Sequence, residues 1–369
     1  MKTVKITPRK MLPTALLSKG VAYLLPLLLI MASMAQPVSA ETITIGKGSG
    51  IVWEGMPFNQ TLSGPILNPS LDESSPILGI SRIPNVCRVS LTSIAGYPAF
   101  EIAPGVGLIP RASANASYGL YDGSTETLTT TLGLPETRGV TTPSNITVTN
   151  SSAWCLSPRM NYDPNLYNTE AIRTATIAGN WVIVADGSQT YAEVPLASMY
   201  FNSFTTQWAS IFPTNAILRI SSLECSVSTP TMINFGGVER LLQPEAEMAM
   251  LSYPLQTSCS QTSKNINANI NLQFRALTGL YSNNPTRLSL AQGGGYITGE
   301  INNGVTGSGI CNGTGGLPFN NSPVKIGNIL ATEATKAINN QITWRLCSGG
   351  ANVPTGNVTA AAEMLVTFN

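Results

Sequence analysis

Two short segments of the chain combine tyrosine with side chains that hydrogen-bond hydroxyl groups. The candidate ligand-binding residues are Tyr118, Tyr121 and Asp122 in the first segment, and Asn161, Tyr162 and Asp163 in the second. Aromatic faces stack on the C–H patches of sugars while Asp and Asn bond the sugar hydroxyls, so both segments suit glycan-binding loops. Tyr, Asp, Asn and Gly also form ordinary turns between strands, and that alternative stays open.

Other kinds of site chemistry have little support in the sequence. The chain has no histidine, which excludes Ser-His-Asp and Cys-His nucleophile systems and histidine-ligated zinc. A two-carboxylate glycosidase is the rival class, and Asp122, Asp163, Glu170 and Asp186 could supply its carboxylates, but no spacing selects a pair. No Cys-x-x-Cys pair occurs either. We therefore expect a protein that is not an enzyme and that needs no cofactor and no metal.

Residues 1–40 have the pattern of a signal peptide. A basic region precedes an apolar run from Val21 to Ala35, and Val38-Ser39-Ala40 follows as a small-residue cleavage site. An uncleaved membrane anchor is the alternative, but Pro26 interrupts the run, which is short for a span that needs about 20 apolar residues. We expect cleavage after Ala40 and export of the rest of the chain.

The composition favours a compact β-protein. Hydrophobic residues make up 43% of the chain and charged residues only 11%, against about 25% charged residues in an average globular domain. Without residues 1–40 the chain has 15 basic and 19 acidic residues, and a mildly acidic chain is poorly suited to a nucleic-acid backbone. The 33 glycines and 25 prolines require short secondary elements, so we expect an all-β fold and no nucleic-acid partner.

Six cysteines in an exported chain indicate disulfides. They lie at Cys87, Cys155, Cys225, Cys259, Cys311 and Cys347. If a domain boundary falls near residue 216, Cys87–Cys155 is the one pairing available within the first domain. Cys225–Cys259 together with Cys311–Cys347 is then the simplest choice in the second domain, where other pairings stay open.

Period-two alternation predicts strands on both sides of that boundary. The clearest strand is Ile266–Phe274, whose apolar residues alternate with Asn and Gln, and the chain ends on a second one at Val358–Phe368. Thr169 and Glu170 leave open a short helix over residues 169–176. We predict two β-sandwich domains over residues 41–214 and 221–369, joined by a linker at residues 215–220.

The C-terminal half resembles the pilin domain of bacterial chaperone–usher pili. Pilin domains begin with a cysteine-bearing strand, and Cys225 here precedes Cys259 by 34 positions, a separation typical of that family. They end on an alternating strand with an aromatic residue in the penultimate place and a glycine fourteenth from the end, which are Phe368 and Gly356 here. With a whole domain preceding the pilin domain, the chain resembles the two-domain tip adhesins (minor fimbrial subunits) of these pili.

The resemblance implies a lectin-like, receptor-binding N-terminal sandwich and an immunoglobulin-like pilin domain that lacks its last strand. A missing strand leaves an apolar groove beside an unpaired edge, which a periplasmic chaperone and then the N-terminal donor strand of the adjacent pilus subunit fill. The groove residues implied are Gly356, Val358, Ala360, Ala362, Met364, Val366, Phe368 and Asn369, with the Asn369 carboxylate as the chaperone anchor.

The function implied is that of a fimbrial tip adhesin that attaches bacteria to host or surface receptors, with glycans favoured. Its partners would be the chaperone, the outer-membrane usher, the donor strand and a host glycan or glycoprotein, and its location would be the fimbrium tip at the cell surface. A non-adhesive tip adaptor or assembly-initiating subunit is the alternative.

Overall fold

A computed structural model describes residues 41–65, 77–87, 89–158, 167–168, 170–203 and 207–369. These residues form β-strands and a single 3₁₀ turn at Tyr281–Asn283, so the all-β prediction is confirmed. Residues 1–40, the predicted signal peptide, lie outside the described part of the chain. Within that part, no helix has the length and apolar character needed to cross a membrane.

Fifteen strands lie before residue 221. They are β1 (Thr42–Ile45), β2 (Ser49–Pro65), β3 (Leu78–Ser81), β4 (Thr92–Ile94), β5 (Tyr97–Ala103), β6 (Val106–Gly119), β7 (Thr125–Gly133), β8 (Arg138–Thr142), β9 (Thr147–Thr149), β10 (Cys155–Leu156), β11 (Ile172–Asp186), β12 (Ala192–Pro195), β13 (Tyr200–Ser203), β14 (Gln207–Ser210) and β15 (Ile217–Ile220) in the described residues.

Eight further strands follow in the wholly described stretch to residue 369. They are β16 (Glu224–Ser228), β17 (Glu247–Ser260), β18 (Ala268–Ala276), β19 (Leu288–Ser289), β20 (Gly295–Ile301), β21 (Val324–Ile329), β22 (Thr335–Ser348) and β23 (Ala362–Phe368).

The N-terminal half is organised around the long strand β11. It pairs antiparallel with β2 on one side and β6 on the other, within an eight-stranded sheet. A separate four-stranded sheet, β10-β3-β13-β14, belongs to the same half. The helix considered over residues 169–176 is therefore wrong from Ile172 onward. Arg173, Ala175 and Ile177 alternate as buried residues along β11, and a period of two fits a strand paired on both edges.

The C-terminal half is a sandwich of a five-stranded sheet, β16-β17-β22-β20-β19, and the strands β23-β18-β21. Ile270, Leu272 and Phe274 of β18 are buried in its core, as the alternation predicts. The structure contains the three predicted disulfides, Cys87–Cys155, Cys225–Cys259 and Cys311–Cys347. Cys225 and Cys259 face each other directly in the β16–β17 register.

The buried apolar residues divide into two main clusters, and the residues predicted as a linker, 215–220, contain β15 and belong to the first cluster. One cluster runs from Ile43 to Ile220 and the other begins at Leu223. The sheets do not divide there, because β12-β15-β1 and β23-β18-β21 meet in one six-stranded sheet through β1 and β23. The boundaries predicted for the two domains remain a prediction.

Candidate functional site

The terminal strand β23 is paired along one edge only. Its seven residues pair antiparallel with β18, from Ala362 opposite Ala276 to Phe368 opposite Ile270. Along its other edge a single pair, Thr44 with Phe368, joins it to β1. Among the described residues, Ala362 to Val366 therefore present an edge of backbone N–H and C=O groups without a ladder partner, which another strand can extend.

The side chains beside this edge are apolar and half-buried. Ala362, Met364 and Val366 pack against the C-terminal core without being fully covered. Val227 at the end of β16 and Phe235 just beyond it pack against the same core and are also half-buried. Where a sandwich lacks a strand, part of its apolar core stays uncovered and forms a groove, and these half-buried side chains fit that description.

The predicted strand Val358–Phe368 begins four residues too early, because β23 starts at Ala362. Residues 358–361 are bonded to loops instead. The Gln292 side-chain oxygen accepts from the Thr359 N–H, the Thr359 carbonyl accepts from the Ala291 N–H, and the Ala361 carbonyl accepts from the Leu277 N–H. Val358 and Ala360 still pack against the core, while Gly356 is exposed with positive φ, a turn conformation that glycine favours.

The chain terminus is held by β18. The Asn269 N–H donates to the terminal oxygen of Asn369 at 2.7 Å, and the Asn271 amide donates to the Asn369 side-chain oxygen at 3.0 Å. Asn369 is otherwise exposed. Its predicted role as the chaperone anchor stays a prediction.

The candidate ligand residues of the first segment have different environments. Tyr118 is 1% exposed; its hydroxyl donates to Glu126 Oε2 at 2.8 Å and its ring contacts Tyr167 edge-on at 5.5 Å. Asp122 Oδ1 accepts from the Ser124 N–H and hydroxyl and so stabilises the turn. Tyr121 is 68% exposed and is the member that presents an aromatic face to solvent.

Tyr167 and Asn168, which follow the second predicted segment along the chain, lie beside the first segment at one end of the N-terminal half. Leu120 forms an isolated β-bridge with Tyr167, and the Asn168 N–H donates to the Gly119 carbonyl at 3.1 Å. Asn161, Tyr162 and Asp163 lie outside the described residues.

This loop end is far from the C-terminal half. Gly119 lies against Ala171, so Tyr121 is close to the start of β11, where Ile172 is 71% exposed. The C-terminal half meets the sheet near Glu54, which pairs with Val182, ten residues along β11. At about 3.4 Å per residue the two regions are roughly 34 Å apart.

An ionic cluster between the two halves was missed by the sequence reasoning. Glu54 of β2 is 3% exposed and lies 3.4 Å from Arg111 of β6 and 3.9 Å from Arg275 of β18. Glu363 of β23 pairs with Arg275 and lies 3.8 Å from Arg111. Burial raises the pKa of Glu54, and the two arginines only partly oppose that rise. No motif marks these residues, because they come from four separate strands.

Asp122 and Asp186 are too far apart to form the carboxylate pair of a glycosidase. Asp186 is at the end of β11 that adjoins Gly105 at the start of β6, whereas Asp122 follows the other end of β6. Fourteen residues of strand separate them, about 45 Å, far beyond the roughly 5–9.5 Å of glycosidase carboxylates. In the described part of the chain, no group of three His, Cys, Asp or Glu side chains is arranged to hold a metal ion.

Comparison with known proteins gives structural similarities only. No family model matches, and no curated protein matches by sequence. A chain of the chaperone–tip adhesin complex of CFA/I fimbriae is 10% identical, with 89% of this chain and 94% of that chain covered and a TM-score of 0.26. The CupB6 tip adhesin of Pseudomonas aeruginosa is 12% identical, with 87% of each chain covered and a TM-score of 0.28.

A third similar structure is a chain of the CsuC–CsuE chaperone–tip subunit pre-assembly complex of Acinetobacter baumannii Csu pili. It is 9% identical, with 89% of this chain and 97% of that chain covered and a TM-score of 0.24. At these TM-scores the similarities assign no role to any residue of this chain.

Proposed function

We propose that this chain is the tip adhesin of a bacterial chaperone–usher pilus. The observation that carries the proposal is the one-sided pairing of β23, whose free edge from Ala362 to Val366 adjoins half-buried apolar side chains. Such an edge is an aggregation hazard in a finished protein but a binding site in one completed by a strand from another chain. The Cys225–Cys259 pair and the terminal sequence pattern support the same interpretation.

The C-terminal half thus receives strands in two steps. A periplasmic chaperone covers the β23 edge during export and delivers the subunit to the outer-membrane usher. The N-terminal strand of the adjacent subunit then replaces the chaperone. A whole further half precedes β16, where a shaft subunit would carry its donor segment, and this supports a position at the fimbrium tip on the cell surface, where a subunit receives a strand and donates none.

Attachment belongs to the distal end of the N-terminal half. Tyr121 is exposed there, roughly 34 Å from the contact with the C-terminal half, so that a receptor can approach it freely. Host glycans or glycoproteins are the ligand class favoured by tyrosine beside Asp and Asn. The non-adhesive adaptor stays the second candidate, because Tyr118 and Asp122 are already engaged within the chain.

The strand-acceptor part is tested with residues 41–369 expressed in the periplasm, with and without an alternating Ile/Thr donor strand fused after Asn369 through a Gly/Ser linker. We expect the fused strand to raise soluble yield and Tm. A fused strand with Asp in place of Ile is the matched control and should raise neither. Equal yield and Tm for all three proteins would show that the sandwich is complete and would exclude the pilus interpretation.

The adhesive part is tested by applying the donor-fused protein to a glycan array and to host cells. We expect binding that Tyr121→Ala weakens at least tenfold. Tyr191→Ala removes another exposed tyrosine, one that lies under Lys264 instead of at the distal end, and should bind like the parent. If the folded parent binds neither the glycan array nor host cells, the non-adhesive adaptor is favoured.

A further inference from the structure

The strand β1 already occupies one end of the edge to which a donor strand would bind. Thr44 pairs antiparallel with Phe368, the last residue of β23. On its other side β1 pairs parallel with all four residues of β15. Ile43 and Ile45 are 3% and 0% exposed, so β1 is a firmly packed strand.

At Gly46 the chain turns away from β23. If the ladder continued, Gly46 would lie opposite Val366. Instead the Lys47 N–H donates to the Leu223 carbonyl at 2.9 Å, and the Gln189 amide donates to the carbonyls of Gly46 and Gly48 at 3.2 and 2.8 Å. Gln189 is 1% exposed. The backbone after β1 is therefore bonded away from the free edge.

The position of this turn depends on the absence of a side chain at Gly46. A Cβ there would lie 2.0 Å from the Leu223 carbonyl oxygen and 2.9 Å from the Phe368 ring. Leu223 immediately precedes β16, so the beginning of β16 and the end of β23 converge at Gly46. Both sides of the incomplete sandwich therefore meet at this residue, and β1 closes the gap between them.

We propose that β1 is a built-in stop for the incoming donor strand. It fills the Phe368 position, so that a donated strand pairs with Ala362 to Val366 and ends before Phe368. The partner that fits this edge is a short strand of another pilus subunit. Its apolar side chains, about three at alternate positions, lie beside Ala362, Met364 and Val366. This inference rests on the proposed function and specifies its partner: the donor need not span the whole Val358–Phe368 segment.

The test uses residues 41–369 fused after Asn369 to alternating Ile/Thr donors of five and eleven residues, the longer one able to span residues 358–368. Two quantities are measured: Tm, and hydrogen exchange of peptides that cover residues 42–45 and 362–369. We expect both donors to raise Tm by about 2–4 °C per buried isoleucine. Exchange of residues 42–45 should stay as slow with the eleven-residue donor as without it.

The two proposals fail in different ways. If neither donor raises Tm, the proposed function fails. If both raise Tm and the eleven-residue donor accelerates exchange of residues 42–45 at least tenfold, β1 is displaced and the stop is refuted while the proposed function stands.

Gly46→Ala and Gly48→Ala provide a matched pair of variants. The Cβ at residue 46 meets backbone atoms, whereas at residue 48 it meets a movable Val52 methyl at 3.2 Å. With the long donor, Gly46→Ala should accelerate exchange of residues 42–45 and Gly48→Ala should not. If Gly46→Ala does not fold, the hydrogen exchange of residues 42–45 in the parent with the long donor decides whether β1 is a stop.

Discussion

At the scale of single residues, burial separates side chains that the sequence presents as equivalent. Tyr118 and Tyr121 are three positions apart in one turn-forming segment, and both were predicted to bind ligand. Tyr118 is buried because its ring contacts Tyr167, which lies outside the named strands, and its hydroxyl donates to Glu126 on the neighbouring strand β7. The sequence predicts the loop, but long-range pairing determines which tyrosine faces solvent.

Arg173 shows how a buried cation can stabilise the distal end. It is fully buried, and its guanidinium donates to the carbonyls of Gly64 and Pro65 and to the hydroxyl and carbonyl of Ser203. Desolvation lowers its pKa to about 10. Arg173 therefore joins the end of β2 to the end of β13.

We predict that Arg173→Met lowers the free energy of unfolding by about 3 kcal/mol. The substitution leaves buried carbonyl groups without donors, at about 1–3 kcal/mol for each group that water cannot reach. Urea denaturation of the donor-fused protein measures the change. Arg138→Met removes an exposed arginine that pairs with the exposed Glu136 and should cost less than about 0.5 kcal/mol. Equal losses for the two variants would contradict the role given to Arg173.

Glu54 gives the protein a pH dependence of defined sign. Burial raises its pKa above the ordinary value of 4.5, so between 4.5 and the raised value the folded state binds more protons than the unfolded state. The contribution of Glu54 to stability is therefore greatest below pH 4.5 and is lost as the pH rises through the raised pKa. Glutamine mimics the protonated form.

We accordingly predict that the stability of Glu54→Gln relative to the parent increases as the pH rises from 4 to 8. Urea denaturation across this range measures the difference. Glu136→Gln changes an exposed glutamate, and the difference between its stability and that of the parent should not change with pH. A relative stability of Glu54→Gln that falls with rising pH would show that the charge–charge attraction of Arg111 and Arg275 outweighs burial.

At the scale of elements, alternation and cysteine spacing predicted the strands of the C-terminal half well. The strand predicted at Ile266–Phe274 follows from local pattern, because a period of two is a local property, and β18 occupies Ala268–Ala276. The Cys225–Cys259 disulfide was the simplest of several pairings, and the structure confirms it. The alternation did not predict the residue at which β23 starts. Val358 and Ala360 continue the alternation, yet the backbone groups of their neighbours Thr359 and Ala361 are bonded to residues 277, 291 and 292, which are distant in sequence.

The edge of β23 yields a prediction about donor binding. Met364→Ser removes an apolar side chain beside the free edge, so a donor strand loses part of its apolar contact, about 1–2 kcal/mol. We expect the Tm rise caused by the fused Ile/Thr donor to fall by about half. Met250→Ser alters an exposed methionine on β17 of the other sheet and should preserve the full rise. A full rise with Met364→Ser would place the donor elsewhere.

At the scale of the whole molecule, part of the polar face of β18 contacts the other half, through Gln273 and Arg275. The alternation predicts that Asn271 and Gln273 lie opposite the core-facing residues, yet they are 4% and 5% exposed. The Gln273 amide donates to the Glu54 carbonyl at 3.2 Å and so joins the two halves. Alternation assigns a residue to a face, but it contains no information about what covers that face.

The contact between the halves is polar and includes the ionic cluster around the buried Glu54 and the amide of Gln273. Polar contacts between domains are weaker than apolar ones, since each group also bonds well to water. Arg275 is central, because it pairs with Glu363 and lies 3.9 Å from the buried Glu54. Loss of this guanidinium leaves Glu54 with a single arginine, which favours separation of the halves and hydration of its carboxylate.

We therefore predict that Arg275→Met loosens the contact between the halves while each half stays folded. Small-angle X-ray scattering of the donor-fused protein should show a larger radius of gyration, and protease should cut more readily between β15 and β16, at residues 221–223. Arg219→Met removes an arginine that pairs with the exposed Glu193 within the N-terminal half and should leave both measurements unchanged. If Arg275→Met lowers the unfolding temperature but leaves the scattering curve unchanged, the ionic cluster stabilises one rigid body, and the two halves do not separate at this contact.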